Sequence, residues 1–327
     1  MNPFPRPRPS ALAFLLAGCA SAAPPSPEAA ELGRIGRQLE EFYGPMLFLV
    51  EESRLAIEDV LVHLGRDYVF PVDGPLPPGE LRYWLFRAEN DLMPRNDEMA
   101  ALARERRDLV DGPKLPAILD ALVEHQAAWR ELHRRWKEKG EAYPWRSPTP
   151  FPRNLGTVLA REFERLKKRQ GELLPRVPGA ELRHVERQIE GLYAPLVRLS
   201  RELDRAFSRA AAELGRNEIF PLGKEEIPFW TRRCEDVLFP LLEEIRGTIR
   251  RNFFLVEGTA MPEGFLAFLD YWNSWKMDHA RWKEQAVPYP MRSRLDYPRE
   301  EFAGAAERTL RDLESRRARL ARPPASP

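Results

Sequence analysis

Arg37-Gln38-Leu39-Glu40-Glu41-Phe42-Tyr43-Gly44-Pro45-Met46 returns 150 residues later as Arg187-Gln188-Ile189-Glu190-Gly191-Leu192-Tyr193-Ala194-Pro195-Leu196. After residue 71 the offset changes to 146, so the first copy carries four extra residues in the Pro- and Gly-rich loop 72–82. A repeat at a fixed period indicates a duplicated structural unit, here of about 145 residues. The aromatic and histidine matches pair Trp84 with Trp230, Trp129 with Trp275, His133 with His279, Trp136 with Trp282 and Tyr143 with Tyr289.

The first segment of each copy has the pattern of a long amphipathic helix. Apolar or small residues recur in steps of three and four over residues 35–64 and 185–214, which is typical of a helix with one buried face. Pro45 and Pro195 lie inside these segments, where a proline removes one backbone hydrogen bond. The apolar phase continues across both prolines, so the sequence predicts one kinked helix in each copy.

Three further helices are predicted in each copy, and the period-two alternation of strands is absent. The predicted fold is therefore all-α, with two tandem homologous helical-bundle repeats of about four helices each and a long Pro-kinked first helix. The sequence leaves open how the copies pack. The further helices are expected at 80–109 and 225–255 (broken or kinked at Pro94 and Pro240), at 116–139 and 262–285, and at 154–172 and 299–320.

The N-terminal segment has the features of a bacterial lipoprotein signal. Arg6 and Arg8 precede the apolar run 11–18, which is too short to span a bilayer. The run ends in Leu16-Ala17-Gly18-Cys19, which resembles a lipobox, in which the peptidase cuts before the cysteine and the thiol receives a diacylglycerol. We expect lipidation of Cys19. An ordinary secretory signal cut near residues 20–22, or a misassigned start with a disordered tail, are the alternatives.

The resulting domain prediction has six parts. They are a signal peptide at 1–18, a lipidated cysteine with a flexible tether at 19–30, repeat 1 at 31–174, a linker at 175–180, repeat 2 at 181–322 and a disordered tail at 323–327. Ala20 follows the cysteine, which favours the outer membrane by resemblance to lipoprotein sorting in enteric bacteria. We therefore expect a lipid-anchored, periplasm-facing protein of the bacterial cell envelope.

Composition argues against several classes of function. Lys and Arg number 51 and Asp and Glu number 50, so there is no overall basic field for nucleic acid or for an anionic membrane surface. Common hydrolase, metalloprotease, phosphate-binding and dinucleotide-binding motifs are missing from the sequence. Two cysteines exclude a disulfide framework, and Cys234, which replaces Ala88 of the first copy, is expected to be a small buried residue. We expect no enzymatic activity, no cofactor and no metal.

The repeated Trp-x3-His-x2-Trp motif is the first candidate site, because offsets of four and seven place its three rings on one helix face. The motif predicts a core stripe with a hydrogen-bonded histidine at its edge. A ligand pocket with a titratable group, or a metal held by two histidines, are the alternatives; two histidines do not fill a zinc shell. The candidate residues are Trp129, His133, Trp136, Trp275, His279 and Trp282.

Tyr43-x-Pro45 and Tyr193-x-Pro195 form the second repeated feature. We expect each tyrosine to pack beside its kink, and the alternative is that it lines a groove opened by the kink. Glu89 and Glu235 recur near Trp84 and Trp230, and a buried polar contact is expected for both. Glu181-x2-His184 has the spacing of a di-iron motif. The first copy has Arg34 at the position of His184, so we interpret that motif as chance.

Each copy resembles a family of uncharacterised bacterial proteins that carry a motif like Gln-Leu-x-x-Phe-Tyr-x-Pro-Leu-Tyr at the start of a long helix. Here the motif corresponds to residues 38–47 and 188–197. The family's Leu-Pro pair and its His- and aromatic-containing helix are similar to Met93-Pro94, Phe239-Pro240 and residues 125–152. This chain has Met46 and Val197 where the family has Leu and Tyr, and its unit is doubled. The resemblance implies a helical, often envelope-associated fold and no particular chemistry.

The sequence therefore favours a lipid-anchored envelope protein that works by protein–protein interaction or scaffolding. Its expected partners are the membrane, through the lipid anchor, and another envelope protein, with no nucleic acid. The alternative is a periplasm-side binding module for a small or lipidic ligand, held between the two repeats near the Trp-x3-His-x2-Trp faces. An enzyme of unrecognised type, or a cytoplasmic protein with a misread start, are less favoured.

Overall fold

The computed structural model describes residues 25–71, 74–112, 114–143, 149–258, 262–285 and 297–322. Within these ranges every regular element is helical, so the all-α prediction is confirmed. The predicted signal peptide, Cys19 and residues 323–327 lie outside the described ranges. Eight helices follow one another, and we number them α1 (27–64), α2 (78–105), α3 (Lys114–Lys139), α4 (Leu155–Leu173), α5 (180–213), α6 (227–252), α7 (Glu263–Gln285) and α8 (299–320).

The first helix begins earlier than the sequence suggested. The flexible tether was predicted to reach residue 30, but α1 begins at Pro27. Ser26 caps this helix, because its side-chain oxygen accepts a hydrogen bond from the backbone N–H of Ala29 at 3.2 Å. Pro27 is suited to the first turn, where its missing N–H costs no hydrogen bond. Residues 27–30 of the predicted tether therefore belong to α1.

Four helices contain an internal π-helical turn, and a proline follows each turn by two residues. In each case the N–H of the residue after the turn donates to the first carbonyl of the turn, five positions earlier. The wider turn absorbs the disturbance that a proline without an N–H makes in the hydrogen-bond ladder. The helices therefore continue across their prolines. The turns are Leu39–Tyr43, Ala88–Leu92, Ile189–Tyr193 and Cys234–Leu238, and the prolines are Pro45, Pro94, Pro195 and Pro240.

The repeated Gln-x4-Tyr pair spans such a π turn and holds the end of the neighbouring helix. Gln38 Nε2 donates to the carbonyl of Leu109 at 2.9 Å, and the backbone N–H of Asp111 donates to Tyr43 Oη at 3.3 Å. These residues belong to the short 3₁₀ turn after α2 and to the loop behind it. The second copy has the same two contacts, from Gln188 to the carbonyl of Leu255 at 2.9 Å and from Glu257 N–H to Tyr193 Oη at 3.1 Å.

Four helix termini meet at one end of the molecule. Arg169 near the end of α4 binds Glu31 at the start of α1, at 2.7 Å between Nη2 and Oε2. In the same way Arg316 near the end of α8 lies 2.9 Å from Glu181 at the start of α5. Arg187 of α5 in turn binds Glu40 of α1. We call this region, made of residues 25–38, 165–187 and 311–322, the tether end, because the N-terminal segment enters the fold here.

The two copies share one hydrophobic core. Buried residues from all eight helices form a single apolar cluster. Phe253, which follows α6, stacks on Phe163 of α4 with ring centroids 5.3 Å apart. Gly44 of α1 allows close approach of the same segment, since a Cβ atom there would lie 3.3 Å from Phe254 Cβ. The two copies are therefore not separate bundles, because they share this hydrophobic core. None of the described helices is long and apolar enough to cross a membrane.

Candidate functional site

Each Trp-x3-His-x2-Trp helix places its histidine against the glutamate that recurs on the preceding helix. One turn further along, a lysine donates to the same carboxylate oxygen. Both copies therefore contain a His–Glu–Lys cluster that joins their second and third helices. The distances to Glu89 Oε1 are 2.8 Å from His133 Nε2 and 2.9 Å from Lys137 Nζ, and those to Glu235 Oε1 are 3.0 Å from His279 Nε2 and 2.8 Å from Lys283 Nζ.

The electrostatics of these clusters are those of a structural contact. Burial opposes ionisation of Glu89, but the hydrogen bonds from Lys137 and His133 outweigh it and lower the pKa of the carboxyl. Burial lowers the pKa of His279, although its glutamate partner acts in the opposite direction. Both motif histidines are buried, at 7% and 4% exposure. A general base has to reach the proton of a substrate; here Nε2 of each histidine faces a carboxylate of the protein itself and little of either ring is accessible.

The tryptophans of the two motifs stack within their own copies. Trp129 stacks on Trp84 with ring centroids 6.1 Å apart, and Trp275 stacks on Trp230 at 5.8 Å. The first stack belongs to a small apolar cluster that includes Leu76 of the loop before α2, whereas the second belongs to the main core. Among the described residues no ring contact joins the two motifs. The ring stacking of each motif therefore lies within its own copy, and the ligand site between the repeats stays a prediction.

Trp136 and Trp282 flank the histidines at the partly exposed edge of each motif. Their ring centroids lie 5.3 Å from that of His133 and 5.7 Å from that of His279. A shallow groove runs beside His133, lined mainly by charged side chains of α3. These charges are paired with one another: Arg134 binds Glu131 and Glu138, while Arg130 binds Asp97. The groove therefore offers little net charge to a ligand.

Tyr43 and Tyr193 are structural residues and not part of an exposed face. Their exposures are 0% and 3%, and both hydroxyls accept backbone N–H groups of the loops described above. Burial raises the pKa of Tyr193 to about 12, so its hydroxyl stays neutral in any physiological buffer. Their burial agrees with the packing role expected for these tyrosines beside Pro45 and Pro195, and it does not fit the alternative of groove-lining residues.

Glu181 and His184 do not form a metal site. Glu181 binds Arg316, as described for the tether end. The ring of His184 is partly buried, and burial lowers its pKa to about 4, with further lowering by the cations Lys167, Arg187 and Arg316. A histidine in this setting is neutral at physiological pH and becomes charged only at strongly acidic pH.

His184 is expected to make the fold sensitive to acid. Its pKa is about 4 in the folded chain and about 6.5 when unfolded, so the unfolded chain binds more protons between these values. Its effect on the free energy of unfolding is a loss of up to about 3 kcal/mol as pH falls from 6.5 to 4. His184→Asn should remove that loss. Urea titrations of wild type and variant between pH 7.5 and 4 measure the difference, and parallel pH curves would contradict it.

A chain of buried alternating charges lies between the two copies, and the sequence analysis missed it. Glu52 of α1 is fully buried and binds Arg246 of α6 through both carboxylate oxygens, at 2.5 and 2.6 Å. Burial of ions is unfavourable unless each charge is paired, and here three arginines alternate with three carboxylates. The remaining contacts join Arg95 to Glu52 and Asp91, Asp91 to Arg87, and Arg87 to Asp59.

Five of the six residues in this buried charge chain come from the first copy, Arg246 comes from the second, and the arrangement is not repeated. The positions that match Asp91 and Arg95 hold Val237 and Leu241 in the second copy. Arg95 also donates to Asn273 of α7 at 3.1 Å, so the chain ties the first copy to two helices of the second. One signal in the sequence was the spacing of four residues between Arg87, Asp91 and Arg95. That spacing puts opposite charges on one helix face, which is also typical of a solvated helix.

The end of the molecule far from the tether carries the exposed apolar groups. Val62 and Tyr68, at the end of α1 and in the loop after it, are 70% and 51% exposed. The matching positions in the second copy are Ala212 and Glu218. A partly enclosed cavity of about 360 Å³ lies in the same copy, and its apolar lining includes Phe70, Leu76, Leu81, Trp136 and Tyr143. We call Val62 and Tyr68 together with this cavity the distal apolar site.

Comparison with known proteins assigns no function to the candidate sites, so their function is inferred from their geometry. The described residues contain no group of three His, Cys, Asp or Glu side chains that could hold a metal ion. Comparison with protein-family models, with curated proteins and with solved structures found no match to this chain. The resemblance of residues 38–47 and 188–197 to a bacterial family stays a prediction.

Proposed function

We propose that this protein is a lipid-anchored component of the bacterial cell envelope that binds another envelope protein and does not act as a catalyst. The lipobox-like Leu16-Ala17-Gly18-Cys19 supplies the anchor, and eight residues later the chain enters α1 at Pro27. In this proposal the repeated motifs stabilise the fold, because their polar groups contact other residues of the same chain.

The distal apolar site is the observation that carries the binding role. α1 spans residues 27–64 and is therefore about 57 Å long. The anchor at Cys19 would lie eight residues before its first turn, and Val62 of the distal apolar site lies in its last turn. Val62 and Tyr68 are the exposed large apolar side chains of the described residues, and the cavity of the same copy has an apolar lining suited to an apolar group of a partner. The partner that fits has an apolar side chain to insert there.

A lipidic or other small apolar ligand is the second candidate function, and the cavity of the distal apolar site favours it. Two polar groups of the lining have partners: Tyr143 Oη accepts a hydrogen bond from Trp129 Nε1 at 2.8 Å, and the only charged side chain among the described lining residues, Glu141, binds Arg135. A ligand in this cavity would therefore be uncharged. The cavity lies inside the first copy, and so the location differs from the one between the repeats that the sequence suggested.

Site-specific photo-crosslinking in the native host tests the binding role. A benzophenone amino acid at Tyr68 or Val62 is expected to give one reproducible protein adduct. Matched controls are the aligned and equally accessible positions Glu218 and Ala212 of the second copy, which should not give that adduct. Absence of any protein adduct from the first-copy positions, or the same products from all four positions, would refute the partner-binding role.

A further inference from the structure

The tether end concentrates positive charge in a chain whose overall charge is almost balanced. Its residues 25–38, 165–187 and 311–322 contain fourteen Lys and Arg but seven Asp and Glu. The whole chain has 51 Lys and Arg and 50 Asp and Glu. The excess arises because residues 165–169 of α4 and 316–322 at the end of α8 are rich in arginine and lysine, and both helices end here. The overall composition did not indicate this local excess of positive charge. The excess arises only when the fold brings three distant segments of the chain together.

Part of this charge is used inside the fold. Arg34 binds Asp111, and Arg169, Arg187 and Arg316 bind the glutamates described above. A second group has no carboxylate within ion-pair distance among the described residues, and its side chains are exposed. This group comes from α1, α4, the turn after α4 and the end of α8, and it consists of Arg37, Lys168, Arg176, Arg319 and Arg322.

The flanking chain does not neutralise these cations. Residues 20–27 contain no charged side chain, and neither do residues 323–327 after Arg322. The connection from Cys19 to Ser26 can span at most about 25 Å when fully extended. An acylated Cys19 would therefore keep the tether end close to the lipid headgroups. Lysine and arginine near an anionic leaflet are attracted to it within about one Debye length, roughly 10 Å.

We propose that the tether end docks on an anionic phospholipid surface through its unpaired cations. The inference rests on the proposed lipid anchor and adds an orientation to it. The acyl chains would fix one point of the protein, and the cations Arg37, Lys168, Arg176, Arg319 and Arg322 would hold four helix ends against the same surface. The distal apolar site would then point away from the membrane, at the other end of α1.

Vesicle co-sedimentation of the unacylated chain tests this inference separately from the anchor. The probe is the mature chain with Cys19→Ser, mixed with phosphatidylcholine vesicles that contain either about one third phosphatidylglycerol or none. Binding is expected to the anionic vesicles and to weaken as salt rises. The triple variant Arg176→Gln, Arg319→Gln, Arg322→Gln is expected to lose at least about tenfold in partitioning, because each cation contributes independently near the surface.

The control removes the same number of exposed cations at the other end of the fold. The control variant carries Arg205→Gln, Arg209→Gln and Lys224→Gln. The first two residues lie on the second half of α5 and the third lies beyond it, about 38 Å or more from the start of that helix. This variant should bind as the unmodified probe does. Equal loss in both triple variants, or binding no stronger than to neutral vesicles, would overturn the proposal and favour an acidic protein as the occupant. Acylation of Cys19 is measured independently, so either result leaves the anchor untouched.

Discussion

Glu52→Gln is expected to lower the free energy of unfolding by about 3–5 kcal/mol, because it removes one partner of a buried ion pair. Glu52 is fully buried and accepts two hydrogen bonds from Arg246. Burial disfavours the charged form of Arg246, but the carboxylates of Glu52 and Glu243 outweigh this effect and raise its pKa. Glutamine keeps the shape of the side chain but leaves Arg246 and Arg95 short of a negative charge.

Glu202→Gln is the matched control, because Glu202 occupies the aligned position in the second copy. Its carboxylate lies on the surface and binds Arg198 at 3.0 Å, four residues earlier in α5. An exposed pair of this kind contributes about 0.5 kcal/mol or less. Urea or thermal unfolding of both variants measures the difference. Equal destabilisation by the two substitutions would contradict the buried charge chain.

The helices could be predicted from the sequence because their signals are local. The apolar phase of residues 35–64 passes through Pro45 without interruption, and α1 is continuous there. The third helix was expected at 116–139 and is observed at Lys114–Lys139. Prolines followed by a resumed apolar phase predicted kinks. They did not reveal the π turns, since these depend on a shift of backbone hydrogen bonds that leaves the apolar pattern intact.

The packing of the two copies could not be predicted in the same way. Alignment treats Glu52 and Glu202 as equivalent, whereas the structure buries the first and exposes the second. The difference comes from the other copy, because α6 and α7 cover the face of α1 that carries Glu52. Burial of a charge is therefore a property of the assembled fold. A single sequence shows which residues could form such a contact, but it does not show which of them are close in space.

The candidate sites show the same limit. The repeat draws attention to His133 and His279, but their spacing alone does not reveal that a repeated glutamate lies within hydrogen-bond distance of each ring. Tyr43 was open to a groove-lining interpretation until its burial was seen. The distal apolar site combines repeated residues, such as Trp136 and Tyr143 of the cavity lining, with Val62 and Tyr68, which match Ala212 and Glu218 in the second copy. The repeat alone therefore does not single out this site.

Cys19→Ala is expected to abolish attachment of lipid to the chain. In the proposed mechanism the thiol of Cys19 is the only acylation site, so its removal leaves no atom for the thioether. A single acyl chain gives marginal membrane binding, while two or more chains anchor a protein stably. The wild-type protein should therefore be labelled in cells by a palmitate analogue and recovered with the membranes. The Cys19→Ala chain should carry no label.

Cys234→Ala is the control for this experiment, since Cys234 is the one other cysteine in the chain. Its side chain is fully buried in the π turn of α6, and the first copy has Ala88 at the same position. The alanine should therefore be accommodated and the label retained. The most direct test of a lipid-anchored envelope protein is palmitate-analogue labelling of the wild type, Cys19→Ala and Cys234→Ala in the native host. The account predicts label in the first and third proteins only, and label that persists in Cys19→Ala, or is absent from the wild type, would contradict it.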